Sequence, residues 1–188
     1  YGGWSMDDHH PEGFETTEPP TIYHPAPSPY GIPYRCLYSK NIENLFFAGR
    51  NISVTHSAMS SCRVMATCGL LGQAVGTAAA LAVKYNLTPR GVYEEKCSQL
   101  QEALMDDDCY LPYHKRRMPK LMNHAKLIAS GNVEILTNGI ERKLGDVDHA
   151  WEGAVGEAIL IRFPESVPCK QLRIVFDSDL NRDYWQNY

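Results

Sequence analysis

The chain has 188 residues, which corresponds to about one to one and a half average domains. Hydrophobic residues make up 44% and charged residues 21%, a composition that supports a folded core and argues against disorder along most of the chain. The net charge is −4, and the longest basic run is the short segment 115–117. We therefore expect no nucleic-acid partner.

The six cysteines form no CxxC pair and are not densely spaced. We expect reduced, mostly buried thiols, and neither a disulfide scaffold nor a zinc ribbon. No signal peptide can be read from the residues that follow Tyr1. An aromatic tail follows soon after a predicted strand at 172–176, so we expect a fragment of a longer protein. Its compartment stays open, with the cytoplasm slightly favoured.

The first 33 residues contain seven prolines and four glycines. This spacing predicts short extended pieces and no helix. Large side chains such as Trp4 and Phe14 are interleaved with these breakers, so we expect an ordered loop that packs on the rest of the chain. Residues 32–38 are then predicted as a strand, and 45–48 as a short apolar strand that ends at Gly49.

Two helices follow. Residues 65–85 are small or helix-forming and contain no proline, which predicts a helix that ends near Asn86. Residues 92–104 predict a second, amphipathic helix after the proline at position 89. Its apolar side is predicted to consist of Val92, Cys97, Leu100 and Leu104.

Beyond a polar, basic linker the hydrophobic pattern changes from helical to alternating. Strands are predicted at 126–130, 133–136, 158–163 and 172–176. This pattern is typical of a β-sandwich, but a complete one takes roughly 100 residues. We therefore expect an α/β domain over 1–118 and a small, truncated sandwich-like segment over 119–188.

The first long helix has a stripe of small residues, formed by Gly69, Gly72, Gly76 and Ala80. Each glycine costs about 1 kcal/mol relative to alanine inside a helix, so a compensating contact is expected. That contact is either tight helix packing or the close approach of a flat ligand. A membrane-spanning helix is a third interpretation, because 64–83 is uncharged and contains GxxxG. Its polar residues and few leucines favour a soluble, buried helix and no membrane partner.

Two points near this helix can donate hydrogen bonds from the backbone. The glycine turn at 49–51 follows an apolar strand and exposes N–H groups, and the helix start near Met65 has unpaired N–H groups and a partial positive charge. A flavin fits such a pair of donors. Its ribityl and phosphate groups suit the glycine turn, and its pyrimidine edge suits the helix N-terminus.

Residues 44–82, NLFFAGRNISVTHSAMSSCRVMATCGLLGQAVGTAAALA, resemble the C-terminal flavin motif of FAD-dependent oxidoreductases related to fumarate reductase and succinate dehydrogenase flavoproteins. More closely, the chain is similar to a bacterial family of FAD-dependent oxidoreductases with the patterns LxxAGRNIS and RVxxTxxxxGQAxGxAAA. The resemblance extends over roughly residues 1–112. It implies the C-terminal part of a dinucleotide-binding fold, FAD as cofactor, and hydride exchange with a small-molecule substrate.

The resemblance also implies where the cofactor binds. The ribityl and phosphate side would be lined by Ala48, Gly49, Arg50, Asn51 and Ile52. The helix start would face the flavin ring with Met65, Ala66 and Thr67, supported by Gly69 and Gln73. The GxGxxG motif that holds the adenine half is absent from these residues. Full FAD binding therefore requires the missing N-terminal half, and we expect the fragment alone to be inactive.

Four residues are candidates for catalysis by the same resemblance. His56 and Arg63 lie on the segment that approaches the isoalloxazine ring, where they would bind a substrate carboxylate or carbonyl and relay a proton. Alternatively, Arg63 caps a helix and His56 bonds to a backbone carbonyl. Asp8 and His9 belong to the run Asp7, Asp8, His9 and His10, which would either lie beside the substrate pocket or form a surface loop. Adjacent histidines in an extended segment point to opposite sides, so we expect no metal there.

Parts of the β region, including 136–139 and 149–151, resemble the discoidin-like, galactose-binding sandwich appended to some of these oxidoreductases. Trp151 would stack on a sugar there or belong to the core. Asp177 and Asp179 would bind calcium or lie in a solvated turn. The alternative function for the whole chain is therefore a non-catalytic β module that binds a carbohydrate or a partner, fused to a structural helical segment.

Overall fold

The computed structural model describes residues 1–143 and 146–177. The chain divides into two compact units, Tyr1–Tyr113 and His114–Tyr188. The described helices are α1 (His56–Cys62), α2 (Met65–Tyr85) and α3 (Pro89–Asp106). The described strands are β1 (Met6–His9), β2 (Thr21–His24), β3 (Lys126–Ile128) and β4 (Leu160–Arg162). This is a mixed α/β structure with two small antiparallel sheets.

The proline-rich N-terminal segment forms a β-hairpin. β1 and β2 pair antiparallel, with Met6 opposite His24 and His9 opposite Thr21. A single further bridge joins Gly2 to Tyr30. The prediction of short extended pieces is confirmed, and β1 lies against α1. The large side chains from which packing was inferred are not covered, since Trp4 is 55% and Phe14 108% exposed.

The strand predicted at 32–38 is wrong: Tyr34–Leu37 is a 3₁₀ helix. The Cys36 N–H donates to the Pro33 carbonyl, so it is not free for a strand ladder. The strand predicted at 45–48 is reduced to one bridge between Tyr38 and Phe46. Pro33, the second residue of 32–38, has no N–H to donate, which disfavours a strand ladder at the start of that stretch.

The two long helices agree closely with the sequence. α2 has the predicted bounds and ends at Asn86, which adopts the left-handed conformation with φ 52°. α3 begins three residues earlier than predicted, because the Thr88 hydroxyl accepts from the Gly91 N–H and Pro89 occupies the first turn. The prediction missed α1, whose N-cap Thr55 accepts from Ala58 N–H at 3.3 Å.

The core of the first unit lies between α2 and α3. Its central cluster includes Val92, Leu100 and Leu104, which are 0–4% exposed, so the predicted apolar side of α3 is confirmed at these positions. A second cluster joins Leu37, Ile52, Cys62 and Leu71. Each leucine buried in this way stabilises the fold by about 1.5–3 kcal/mol.

The glycine stripe of α2 does not pack on the described residues. An ideal Cβ at Gly69, Gly72 or Gly76 would meet no atom within 4 Å. α2 is also long and apolar enough to cross a membrane, and 28% of an apolar 18-residue stretch within it is buried. The core helix of a soluble protein can have the same length and composition. The compensating contact expected for the stripe is therefore absent from the described part of the chain.

The second unit contains the antiparallel pair β3–β4, with Leu127 opposite Ile161. The strand predicted at 133–136 is wrong, because Val133–Thr137 is a 3₁₀ helix whose start is capped by the Asn132 side chain. The strand predicted at 172–176 is irregular and exposed. The described residues of this unit thus show one two-stranded sheet and not the predicted β-sandwich.

Candidate functional site

The hairpin and α1 meet through a histidine–carboxylate contact. His56 Nε2 lies 2.9 Å from Asp8 Oδ1, and the side chains are 84% and 35% exposed. An ionised carboxylate only accepts hydrogen bonds, so Nε2 carries the proton in the neutral ring. The lone pair is then on Nδ1, which makes His56 a base oriented by Asp8.

A second contact joins the other end of α1 to the same strand. Arg63 Nη2 donates to the Asp7 carbonyl at 2.9 Å and lies 3.7 Å from Asp7 Oδ2. Arg63 is also the C-cap of α1, since its N–H bonds to Met59 O. Asp7 Oδ1 is buried and has no hydrogen-bond partner among the described residues. Arg63 therefore caps the end of α1 and also binds Asp7 of β1, which is distant in the sequence.

Helical geometry explains why one strand reaches both residues. His56 and Arg63 are seven residues apart, about two helical turns, and so lie on one side of α1.

The hydroxyl of Ser61 donates to the Trp4 carbonyl at 2.6 Å. Its only hydrogen is used there, so the Tyr30 hydroxyl donates to the Ser61 oxygen. Burial raises the pKa of Tyr30.

The structure does not join His9 to this cluster. Its Nδ1 lies 3.2 Å from Thr21 Oγ1, on the neighbouring strand. His10 Nδ1 accepts from the Glu12 N–H. The described residues contain no group of three or more His, Cys, Asp or Glu side chains that could hold a metal ion. The sequence named Asp8, His56 and Arg63 as candidates and grouped Asp7 with Asp8. It missed Ser61 and Tyr30, for which no spacing signal exists.

The glycine turn at Gly49 has open space beside its backbone. Gly49 has φ +90°, a conformation that favours glycine, and an ideal Cβ there would contact nothing within 4 Å. Ala48, Arg50 and Asn51 are not buried. Ile52 differs from the expectation, because its side chain is 5% exposed and packs in the core. The side chain of Ile52 therefore cannot face a cofactor, although its backbone can.

The start of α2 is also open. Its N-cap Val64 makes no side-chain hydrogen bond, and Met65 is 91% exposed. The first-turn N–H groups are therefore not capped by that residue and suit a carbonyl or anionic oxygen. Thr67 is buried, so its side chain does not face outward. Gln73 donates to Asp107 O at 3.2 Å and ties α2 to the end of α3.

Two thiols lie next to Arg63, because Cys62 precedes it in the chain and Cys68 Sγ donates to its carbonyl oxygen at 3.4 Å. All six cysteines are free, and Cys62 and Cys109 are buried. A cavity of about 280 Å³ is lined by apolar residues of α2 and α3, including Leu71 and Leu104. Neither His56 nor Gly49 lines it, so we do not assign the chemistry to this cavity.

The second unit has its own ion pair, between Arg116 Nε and Glu141 Oε1, whose side chains are 10% and 9% exposed. Trp151 Nε1 donates to Ser130 O at 2.7 Å, which gives this side chain a structural contact. Asp177 is exposed, and Asp179, its partner in the predicted calcium pair, lies outside the described residues. Sugar stacking by Trp151 stays a prediction.

Comparison with known proteins adds one finding. The sequence pattern of the family described as FAD dependent oxidoreductase matches residues 1–104. This range contains the hairpin, α1, α2 and nearly all of α3. A search of curated proteins gave no significant match. A search of solved structures also gave none.

Proposed function

Because the chain belongs to the FAD-dependent oxidoreductase family, we propose that it forms the C-terminal part of such an enzyme's catalytic domain. It contributes the ribityl and isoalloxazine side of the flavin site and the substrate-pocket residues for hydride transfer. The observation that carries this proposal is the position of Arg63. This residue is bound to β1 and is separated from the exposed start of α2 by Val64 alone.

The backbone N–H groups of the turn at 49–51 and of the first turn of α2 would hold the cofactor. The fit rests on Gly49, which has a positive φ and open space beside its backbone, and on Met65, which is exposed. FAD, when bound, supplies the hydride acceptor or donor. The GxGxxG motif does not occur in these residues, so we place the binding of the adenine half in another part of the protein.

The proposed roles of the side chains follow from their contacts. Asp8 orients the His56 ring, and Nδ1 takes up or releases the substrate proton. Asp7 fixes Arg63 beside the start of α2, where the guanidinium orients the substrate. His9 keeps only its hairpin contact with Thr21 and is the weakest of the four catalytic candidates.

The test uses the longest natural polypeptide that contains these residues. It should purify with bound flavin, and anaerobic bleaching of that flavin identifies substrates. We expect His56→Gln to lower turnover by roughly 10²–10⁴-fold, the scale of a positioned proton-transfer group, with the flavin content unchanged. His24→Gln is the matched control, because His24 is an exposed histidine of β2. A protein without flavin, or normal turnover in His56→Gln, contradicts the proposal.

A further inference from the structure

Tyr85, the last residue of α2, lies where polar side chains of α2 and α3 meet. The Gln99 side chain of α3 donates to the Tyr85 hydroxyl at 2.8 Å. This hydrogen bond lies at the exposed surface, whereas the tyrosine itself is half-buried against the core cluster between the two helices. The phenol is therefore fixed in place and can still be reached by a reagent from the solvent.

Two ammonium groups lie over the Tyr85 ring. Lys96 Nζ of α3 is 4.5 Å from the ring centroid, and Lys84 Nζ of α2 is 5.4 Å from it. A cation within about 6 Å of an aromatic ring is attracted to it. Each of the two packed helices therefore brings a positive charge to the same phenol, whose oxygen already accepts a hydrogen bond from Gln99.

All three neighbours favour the ionised form of this phenol. A hydrogen-bond donor stabilises a phenolate oxygen more than a neutral hydroxyl, and a nearby cation stabilises the negative charge. The Gln99 hydrogen bond, together with the charges of Lys84 and Lys96, lowers the pKa of Tyr85 below its ordinary value of 10.0. Tyr30 in the same unit has the opposite behaviour, because burial raises its pKa. Tyr85 thus differs chemically from a buried tyrosine of the same fold.

We propose that Tyr85, held by Gln99 between two lysines, is a modification site for nitrating electrophiles, which react at the ring carbon next to the one that bears the hydroxyl. With tetranitromethane, a C–N bond of the reagent breaks and trinitromethanide leaves with the electron pair. A C–N bond forms at the ring carbon, whose hydrogen leaves as a proton. The ring is oxidised and the reagent carbon is reduced by the same electron pair. This site is independent of the proposed flavin site, since Met65 and Tyr85 are opposite ends of α2.

The test treats the full chain with tetranitromethane at about pH 8, below the ordinary pKa of a phenol, and follows each tyrosine by peptide mass spectrometry. In this range a phenol with a lowered pKa has a larger phenolate fraction. We expect Tyr85 to be nitrated at least about threefold faster than Tyr23 and Tyr113. Those two side chains are 67% and 73% exposed, so exposure alone predicts the opposite order. The pH of half-maximal rate should also be lower for Tyr85 than for Tyr113.

Lys96→Gln and Gln99→Ala each remove one contact that favours the phenolate. Both variants should slow nitration of Tyr85 at least about twofold, with the rate at Tyr113 unchanged. Lys40→Gln is the matched control, because Lys40 is an exposed lysine outside the two helices, and its Tyr85 should react like that of the wild type. Nitration of Tyr85 that is no faster than that of Tyr113, or that neither variant slows, overturns the proposal.

Discussion

His56 Nε2 lies 2.9 Å from Asp8 Oδ1, although 48 positions separate the two residues in the chain. The contact joins the proline-rich hairpin to the first turn of α1 and so fixes the face that the histidine presents. Arg63, two turns later, is held by the same strand. The hairpin is therefore part of the candidate site, and its attachment to α1 can be tested by mutation.

Tyr30→Phe tests that attachment. The variant removes the hydroxyl that donates to Ser61, and we expect the free energy of unfolding to fall by about 0.5–1.5 kcal/mol. Denaturant unfolding measures the change. Tyr23→Phe is the control, because Tyr23 is 67% exposed, and it should have almost no effect. Equal effects of the two variants would show that the Tyr30–Ser61 contact does not hold the hairpin.

Gly49→Val tests the glycine turn. At φ +90° a β-branched residue is strained, so we expect a loss of about 1–2 kcal/mol in stability together with the loss of bound flavin in the longer protein. Flavin absorbance and thermal unfolding report the two effects separately. Gly31→Val, at a glycine with open space and no positive φ, should retain the flavin. Full flavin content in Gly49→Val would remove this turn from the cofactor site.

Gly72→Ala tests whether the glycine stripe of α2 contacts another part of a longer protein. The variant should change stability in opposite directions in the 188-residue chain and in that longer protein. In the 188-residue chain the new methyl group enters open space, and we expect α2 to be stabilised by about 0.5–1 kcal/mol. In the longer protein, a close contact on the stripe would make the same variant destabilising or weaken flavin binding. Stabilisation in both settings would show that nothing approaches the helix at Gly72.

The helices could be predicted because their signals are local. Asn86 marks the end of α2 and Thr88 the start of α3, and both signals depend on neighbouring residues alone. α1 has only seven residues, too few for a clear period, and it is held partly by long-range contacts to β1. The run at 133–136 alternates like a strand, but the Asn132 side chain caps a 3₁₀ helix there.

The sequence could predict which residues belong to the candidate site but not which of their side chains contact each other. Asp8 and His56 were named from the family resemblance, yet the distance between them depends on the hairpin register and on how β1 lies on α1. Asp7 looked equivalent to its neighbour in the sequence. Only the structure shows that its carbonyl, in the strand backbone, binds Arg63.

Alkaline pH should weaken the fold through its buried thiols. Burial raises the pKa of Cys62 and of Cys97, so the folded chain keeps protons that the unfolded chain has already lost. Stability is complete below about pH 9, the ordinary thiol value, and falls as the pH rises above it. Thermal unfolding between neutral pH and about pH 10.5 measures this loss. Cys62→Ala should flatten the alkaline slope, whereas Cys169→Ala, at the exposed cysteine, should not.

Arg63→Lys tests the geometry of the guanidinium. Lysine keeps the positive charge beside Asp7 but loses the planar set of donors, one of which bonds to the Asp7 carbonyl. We expect turnover to fall by roughly 10²–10⁴-fold while FAD stays bound, because the proposed role is toward the substrate. Flavin bleaching by the substrate and the flavin spectrum measure the two properties in one preparation.

The control for this variant is Arg35→Lys, since Arg35 is an exposed arginine on the 3₁₀ helix of the same unit, and it should react like the wild type. The pattern of losses decides between the two roles of Arg63. If Arg63→Lys loses flavin and folded structure together, the cap of α1 is its main function and the substrate role is wrong. If it turns over normally, the guanidinium does not orient the substrate. The remaining candidates are then His56, at the other end of the same face of α1, and Asp8 of β1, which binds it.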